Sequence, residues 1–431
     1  MTPASPGALV AFRSRDYRVF WLAAIVSNSG NWMQTITVPY VILRMTHSTT
    51  WVGFAAFMAF GPALAMGPLA GSLADRYPRK QVVLVTQALM MIAAFALFAL
   101  WVSDAATPES IVAILLVSGI GSGLGIASWQ SFIPQLVPTE HMLSAIRLNS
   151  VQFTAARAFG PALAGLVLAE LGPSVGFLFN AVSFLLVLVA LLAIHPRAID
   201  LPVVMTGSLE HFRAGVRYVR ERQALLLPVL TIFVVSFFGS SVIQLCAPLA
   251  RRVFDVGKAE YGLMVAAFGL GAVFGTFFTL AFGDRIRRSR LAMIGLVLFA
   301  VGEMLLGGAP AYAAGVVGLF GMGFAYMFIA VSLNTSIQAR VEESHRGRVL
   351  SIYLMGLLAG VPFGALLGGA VADFVGLRAT VIGGGTVVLA FAVFAALVYD
   401  AMGPLNESID ESEPVHADAL LTTQPTIAGA D

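Results

Sequence analysis

Long apolar runs separated by short polar breaks constrain this chain more than any other feature. A run of about 20 apolar residues is long enough to cross a bilayer, and within hydrocarbon a spanning segment must satisfy its own backbone hydrogen bonds, so each run predicts a helix. The predicted spans are 18–44, 50–74, 81–102, 110–136, 143–169, 174–194, 225–249, 259–283, 290–308, 311–338, 349–373 and 378–400. With only 11% charged residues, the chain has too little charge to cover a soluble surface. We therefore predict an all-α polytopic membrane protein with 12 transmembrane helices.

The basic residues of the short loops predict the orientation, because cytoplasmic loops carry an excess of Lys and Arg. With the N-terminus in the cytoplasm, nineteen basic residues lie inside: Arg13, Arg15, Arg18, Arg76, Arg79, Lys80, Arg147, Arg197, Arg213, Arg217, Arg220, Arg222, Arg285, Arg287, Arg288, Arg290, Arg340, Arg346 and Arg348. Five lie outside: Arg44, Arg251, Arg252, Lys258 and Arg378. Both termini are therefore predicted to be cytoplasmic, in a multi-pass protein of the plasma (inner) membrane.

The polar interval at 195–224 divides the chain into an N-terminal half at 1–194 and a C-terminal half at 225–400. Within this interval, apolar residues recur every three or four positions opposite basic ones: Leu209, Phe212, Val216 and Val219 against Arg213, Arg217 and Arg220. This pattern predicts an amphipathic helix on the cytoplasmic surface, acting either as a linker on anionic lipid or as a regulatory docking helix. We expect the acidic segment 401–431 to be a disordered cytoplasmic tail.

The two halves share an internal repeat. Asp75, Arg76 and Arg79 after the second span recur as Asp284, Arg285 and Arg288 after the eighth, at a shift of 209. Three glycines also recur at a shift of 204, with Gly160, Gly165 and Gly172 matching Gly364, Gly369 and Gly376. The repeat predicts two pseudo-symmetric six-helix halves related by an axis along the membrane normal.

The segment Gly71-Ser-Leu-Ala-Asp75-Arg76-Tyr-Pro-Arg79-Lys80 resembles the loop motif of the major facilitator superfamily, with a degenerate copy in the second half. Further segments resemble its drug and siderophore exporter branch, the transmembrane secretion effectors, which includes an enterobactin exporter. They are 148–150, 156–165, 180–184 and 346–351. The resemblance covers about residues 10–400 and implies the major facilitator fold.

In that family, the Asp of the loop motif lies at the N-terminus of the eleventh helix, where the helix dipole stabilises an anion. The resemblance implies this role for Asp75 and the corresponding one, toward the fifth helix, for Asp284. Arg76, Arg79 and Lys80 would add charge pairs between the halves while the cytoplasmic side is closed. The alternative is that these basic residues only anchor the loop on the inner side of the membrane.

The sequence Gly160-Pro161-x-x-Ala164-Gly165 resembles the antiporter motif of the fifth helix, with Ala164 in place of a glycine. Small residues allow two helices to approach closely, and a proline lets a helix bend. The resemblance favours export over uptake.

Arg157 is predicted near the middle of the fifth span, where an uncompensated Arg costs at least about 2.5 kcal/mol. It stays charged, so it requires water, hydrogen-bond acceptors or an anion. Candidate acceptors are Asn28, Asn31, Gln34, Asn149, Gln152 and Asn180. A structural cage and contact with an anionic or polar substrate remain alternatives.

Acidic residues are missing where proton antiport would require them. The resemblance implies that spans 1, 4, 7 and 10 line the cavity, and these spans contain no Asp or Glu at 33–43, 111–136, 225–249 or 311–338. Glu303 in the ninth span is the one candidate within the bilayer, either as a proton carrier or as a structural acid.

The predicted cavity is lined by aromatic, Met and amide side chains, which accept amphiphilic compounds by area and stacking. Its candidates include Trp129, Gln244, Tyr326 and Asn334, each of which could instead be a packing residue.

These features favour a secondary active exporter of amphiphilic small molecules, such as drugs, macrolide-like compounds or siderophores, driven by proton antiport. Uptake of a small nutrient is one alternative, and a membrane sensor or scaffold without transport is another. No catalytic set, metal-ligand spacing or nucleotide-binding loop occurs in the sequence, so we expect no enzyme activity, no metal, no cofactor and no nucleic-acid partner. The expected partners are a small-molecule substrate, membrane lipid and protons, and we expect a monomer.

Overall fold

The computed structural model describes residues 9–196, 209–341 and 343–398, except for a few side chains within helices. In these ranges the chain is built from helices and short connections, and it contains no strand. The prediction of an all-helical protein is confirmed. The segment 197–208 of the predicted linker and the predicted tail lie outside the described residues.

Six long helices form the first part of the chain. They are α1 (Arg15–Thr46), α2 (Thr49–Arg76), α3 (Arg79–Val102), α4 (Pro108–Phe132), α5 (Met142–Glu170) and α6 (Gly172–Ala193). Their ends follow local chemistry: the Ser48 hydroxyl caps α2 by accepting the Trp51 N–H, and Thr107 and Ser110 form a capping box at α4.

The second part begins with the short helices α7 (Leu209–Arg220), α8 (Gln223–Val234) and α9 (Cys246–Pro248). It continues with α10 (Lys258–Phe282), α11 (Arg288–Gly308), α12 (Tyr312–Arg340), α13 (Glu343–Val375) and α14 (Leu377–Val398). The long helices follow the predicted spans closely, but α13 starts at Glu343, six residues before the predicted 349. Helix α7 lies within the predicted linker and packs against α8 and α13 with Val219 buried, while its place on the cytoplasmic surface stays a prediction.

Ten helices are long and apolar enough to cross a membrane among the residues that the structure describes. Helix α1 has 32 residues, but Asn28, Asn31 and Gln34 make it more polar, and α5 contributes the shorter apolar stretch Phe159–Glu170. The chain is therefore a multi-pass membrane protein. The number of twelve crossings stays a prediction.

The segment from Val235 to Val253 departs from the regular span that the sequence predicts. It passes through a π-helical turn (Val235–Gly239), a 3-10 stretch (Ser240–Leu245), the short α9 and a second π-helical turn (Leu249–Val253). Gly239 and Pro248 weaken the regular hydrogen-bond ladder here. Single π-helical turns of this kind are frequent at functional sites.

The helices pack in two groups, α1–α6 and α8–α14. Helix α2 packs against α4, and α1 against α6, in the first group, while α12 packs against α10 and α11 in the second. Two crossings join the groups, α2 with α13 and α5 with α10. The grouping agrees with the predicted halves, whose residue bounds stay a prediction.

Two faces of the bundle are used as references below. At the linker face lie the starts of α1, α3 and α5 and the end of α6, as the hydrogen bonds from the Tyr17 hydroxyl to the Ala145 carbonyl and from Lys80 Nζ to the Ile194 carbonyl indicate. At the distal face lie the α1–α2 connection and the end of α13.

Candidate functional site

The strongest polar contact between the two helix groups lies at the distal face. Asp373, in the last turn of α13, reaches the first turn of α2. Its Oδ1 accepts the Thr49 N–H at 2.9 Å, and its Oδ2 accepts the Thr50 N–H at 2.8 Å. The same Oδ2 accepts the hydroxyls of Ser48 at 2.7 Å and Thr50 at 2.8 Å.

Arg252 joins this contact from the end of the irregular segment. Its guanidinium lies 3.5 Å from Asp373 Oδ1 and donates to Thr49 Oγ1 at 3.1 Å. It also donates to the carbonyl of His47, which ends α1 in the left-handed conformation with φ of 49°. Two side chains of the second helix group therefore hold the start of α2. We call Asp373, Arg252 and residues 47–50 the distal latch.

The negative charge of Asp373 is unfavourable within its own helix and is stabilised by the other helix group. A carboxylate in the last turn of a helix opposes the dipole of its own helix, whereas at the start of another helix it satisfies unpaired N–H groups. The left-handed Gly376, with φ of 92°, ends α13 directly after this turn and returns its N–H to the Ala372 carbonyl.

Glycines allow the helix backbones to approach closely at the two crossings between the groups. A methyl group on Gly165 of α5 would meet the backbone of Gly262 in α10, and one on Gly369 of α13 would lie 3.2 Å from the Cα of Gly53 in α2. The repeat relates these pairs, because Gly53 and Gly262 differ by 209 and Gly165 and Gly369 by 204. The predicted repeat therefore has a physical counterpart in two equivalent helix crossings.

The contacts between the groups end toward the linker face. On α2, contacts with α13 are found at Thr49, Gly53 and Phe57, whose ring packs 5.1 Å from that of Phe363. Further along α2, a methyl group on Gly67 would have no neighbour within 4 Å among the residues that the structure describes. On the second crossing, Ile146 in α5 is 50% exposed and Leu280 in α10 is 76% exposed. The two groups thus meet at the distal face and diverge toward the linker face.

The loop motif lies on that open side. Gly71 is half-buried and Asp75 and Arg76 are exposed, and neither of these two charged side chains has a hydrogen bond or ion pair with a residue that the structure describes. The side chains of Asp284 and of residues 343–348 lie outside the described part. The predicted contacts of Asp75 with the start of α13, and of Asp284 with the start of α5, therefore stay predictions.

The basic residues of the motif have local surroundings. Lys80 Nζ donates to the Ile194 carbonyl at 2.7 Å, which ties the start of α3 to the end of α6 within one helix group. The Nε of Arg79 is buried and has no partner among the described residues. In the second copy, Arg285 lies over the Phe282 ring at 5.8 Å, and Arg288 is exposed. Charge pairs between the groups stay a prediction for a conformation closed at the linker face.

The antiporter-like segment supplies helix contacts on two sides of α5. A methyl group on Gly160 would lie 2.7 Å from Cδ1 of Trp32 in α1, so this glycine makes room for the indole ring. On the other side, the Pro161 carbonyl and Gly165 face Gly262 of α10. The segment therefore joins α5 to its own group and to the opposite group at once.

Amide side chains gather between α1 and α6. Asn180 Nδ2 donates to Gln34 Oε1 at 2.7 Å. The Oδ1 of Asn180, the Nδ2 of Asn28 and the Nε2 of Gln152 are buried without a partner among the described residues. Asn31 and Asn149 are half-buried, and the side chain of Arg157 lies outside the described part, so its predicted surroundings stay a prediction.

Other predicted cavity residues mainly pack. The Trp129 ring lies 4.8 Å from that of Phe20, and the buried Tyr326 ring lies 6.0 Å from that of Phe268. Gln338 donates to the Oδ1 of the half-buried Asn334. Gln244 is buried in the irregular segment.

Two acidic side chains differ sharply from the rest. Asp373 is fully engaged in the distal latch, whereas Glu303 is completely buried in α11 and neither of its oxygens has a hydrogen-bond partner among the described residues. No group of three or more His, Cys, Asp or Glu side chains that could hold a metal ion occurs in the part of the chain that the structure describes.

A family model described as "transmembrane secretion effector" matches residues 6–423. The chain is 26% identical over 363 residues to the enterobactin exporter EntS of Escherichia coli, covering 82% of this chain and 84% of the exporter. It is 24% identical over 384 residues to the staphyloferrin A transporter of Staphylococcus aureus, covering 84% and 91%. It is also similar to the MFS-type transporter YfiS of Bacillus subtilis, with 26% identity over 391 residues.

Solved structures with the same fold are membrane transporters. A bacterial homologue of the human lysosomal transporter Spinster, in an inward-facing and occupied conformation, superposes with a TM-score of 0.72 at 16% identity, over 92% of this chain and 99% of that one. A D-xylose-proton symporter gives a TM-score of 0.66 at 15% identity, over 87% and 97%. At this identity the likeness establishes the fold alone.

Proposed function

We propose that this chain, which belongs to the transmembrane secretion effector family of the major facilitator superfamily, exports amphiphilic small molecules by alternating access. The family consists of membrane transporters, so the protein is a transporter and not an enzyme. The proposal of export rests above all on the family match over residues 6–423, because the relatives include an enterobactin exporter.

The one-sided contact between the helix groups supports alternating access. With the distal latch closed and the groups diverging at the linker face, the bundle has the form of one of the two states that a rocking transporter requires. The excess of nineteen basic residues over five supports a cytoplasmic linker face. In this orientation the conformation is open to the cytoplasm, from which an exporter takes its substrate.

The amide cluster supports a substrate with a polar or anionic part. Buried amide atoms of Asn28, Gln152 and Asn180 lack partners among the described residues, and such groups favour a ligand that completes their hydrogen bonds. Arg157 on α5 would supply the positive charge. Trp32 on α1 would take up the apolar part of the substrate by stacking.

Proton antiport would supply the energy for export. The sequence contains no nucleotide-binding loop, so an ion gradient is the remaining source of energy, and export driven by a proton gradient requires that protons move inward. The loop motif would hold the cytoplasmic side closed in the other half of the cycle, with Asp75 at the start of α13.

Transport by everted membrane vesicles tests this proposal. Vesicles with the protein, and matched vesicles without it, would be energised by respiration and offered radiolabelled erythromycin, ethidium and enterobactin in turn. We expect accumulation of at least one compound that an uncoupler abolishes. Accumulation insensitive to the uncoupler would remove proton antiport, and movement only in the opposite direction would make the protein an uptake transporter.

The Asp75→Asn variant tests the loop motif in the same vesicles. We expect normal abundance and reduced transport, because the neutral amide loses most of its attraction to the start of α13. Glu140→Gln is the matched control, since Glu140 is an exposed acid at the linker face outside the motif. Transport by Asp75→Asn equal to that of the control would contradict the role of Asp75.

A further inference from the structure

Glu303 is an isolated acid within the second helix group. Its side chain is 0% exposed, and both carboxyl oxygens lack a hydrogen-bond partner among the described residues. A methyl group on Gly239 would lie 3.2 Å from Oε2, and one on Gly384 of α14 would meet Oε1. The two glycines therefore make room for the carboxyl group between α11, α14 and the first π-helical turn.

Such surroundings suit a neutral carboxylic acid and not a carboxylate. Removing an unpaired charge from water costs several kcal/mol, and a group in this position takes up a proton instead. The last turn of α11 separates Glu303 from the distal face, at a rise of about 1.5 Å per residue, so a proton has only a short way to travel from that side.

Charged and titratable groups on the neighbouring elements are engaged elsewhere. On α14, Arg378 donates to the carbonyls of Gly307 at 3.0 Å and Ala309 at 2.7 Å. On α12, the Tyr312 hydroxyl donates to the Glu260 carbonyl, the Tyr326 ring packs against Phe268, and Arg340 lies at the linker end. The segment 235–239 carries no titratable residue, and on α11 itself Arg288 and Arg290 lie at the opposite end.

A continuous segment connects this acid to the distal latch. Gly239, beside the carboxyl group, ends the first π-helical turn, and the irregular chain that follows leads to Arg252 in the second π-helical turn. This segment also contacts α2 and α1 of the other helix group on its way. A change in the packing of Glu303 is therefore placed to act on the latch through Gly239.

We propose that Glu303 is a proton-binding site of the transport cycle, neutral while the distal latch is closed and ionised when the latch opens. The inference rests on the proposed alternating access and names a group that makes its conformational equilibrium depend on pH. Protonation, COO⁻ + H⁺ → COOH, allows the side chain to pack in its dry pocket. Loss of the proton makes this packing unfavourable, so rising pH shifts the protein toward the latch-open state.

The test measures the conformation of the purified protein without a substrate. Spin labels on Ala105→Cys, between α3 and α4, and Ala311→Cys, between α11 and α12, mark the two helix groups at exposed positions of the distal face. The buried Cys246 is replaced by Ser. Pulsed electron–electron double resonance in lipid nanodiscs then gives the ratio of long to short distances between the two labels. The ratio is measured at a series of pH values from about 5.5 to 8.5, a window in which buried carboxyl groups can titrate.

For the wild type we expect the open-to-closed ratio to rise with pH, by up to about tenfold per pH unit for a single proton. Glu303→Gln keeps the shape of a neutral acid and should give short distances at every pH, whereas Glu303→Asp should retain a pH response. Glu170→Gln, which neutralises an exposed acid at the end of α5, should behave like the wild type. Thermal melting of each variant checks its folding.

A pH response unchanged by Glu303→Gln would overturn the proposal. Distances between the spin labels that do not change with pH in the wild type would overturn it as well. Neither result touches export itself, which the vesicle assay measures separately. Conversely, a full pH response in a protein that moves no compound in vesicles would leave the proton site standing and remove the exporter.

Discussion

Neutralising Asp373 is the most direct perturbation of the distal latch. Asp373→Asn preserves the size of the side chain but removes its charge and one of its two acceptor oxygens. In the wild type, the Asp373 carboxylate accepts hydrogen bonds from two backbone N–H groups and two hydroxyls of residues 48–50. Because these partners belong to the other helix group, the hydrogen bonds exist only while the latch is closed.

The size of the effect follows from two contributions. A charge at a partly buried helix N-terminus contributes up to about 2 kcal/mol, and a hydrogen bond to a charged group about 1.5 kcal/mol. The Asp373 side chain is 29% exposed, so water replaces part of this loss, and about 3 kcal/mol remains as an upper value. At about 1.4 kcal/mol per factor of ten, the open-to-closed ratio should rise by up to about a hundredfold.

The spin-label pair at residues 105 and 311 measures this ratio, and we expect long distances to become prominent in Asp373→Asn at a pH where the wild type is closed. Asp255→Asn is the matched control, because Asp255 is an exposed acid at the distal face whose left-handed backbone, with φ of 50°, suits Asn. Distances in Asp373→Asn that match the wild type, or an equal shift in the control, would refute the idea that this carboxylate holds the two groups together.

Three smaller predictions concern neighbouring contacts. Arg252→Gln should open the latch less than Asp373→Asn does, since the Arg252 side chain is 36% exposed, and its effect should shrink in high salt, as the same distance measurement would reveal. Gly165→Val should force α5 from the Gly262 backbone and raise the latch-open fraction, whereas Gly67→Val, with open space around it, should not. Lys80→Gln should lower the thermal stability of the purified protein by about 1 kcal/mol, because a charged donor at the end of α6 is lost.

Hydropathy predicted the long helices well because the bilayer acts on each segment independently. A span such as 81–102 needs no knowledge of its neighbours, and the structure gives α3 at Arg79–Val102. The internal repeat could also be detected in the sequence, and Gly165 and Gly369, which it relates, occupy equivalent crossings in the two helix groups. In both cases the information lies along the chain.

The irregular segment was not predicted, because an apolar run indicates a helix but not its hydrogen-bond register. The π-helical turn that ends at Gly239 depends on tertiary neighbours, among them the Phe299 ring and the Glu303 carboxyl, which fill the space beside that glycine. A glycine and Pro248 within one span were the available signs of a broken ladder.

The distal latch was also missed, because Asp373 and Arg252 are far from residues 47–50 in sequence. Arg252 was interpreted only as one of the five outer basic residues, and Asp373 was included in the end of an apolar run. The signal that could have found the latch was an acid in the last turn of a predicted helix, where its own helix dipole disfavours it. Such a residue implies a partner elsewhere in the fold.

The distal latch gives a geometric reason for the proposed role of the loop motif. Helices α2 and α13 run antiparallel, and their crossing lies at Gly53 and Gly369. Each helix carries an acid near its C-terminal end, Asp75 on α2 and Asp373 on α13, and in an antiparallel pair each of these ends lies beside the start of the other helix. Rigid helices that rock about one crossing separate at one end as they approach at the other. The closed contact of Asp373 and the exposed side chain of Asp75 are what such a pair requires when it is open toward the linker face.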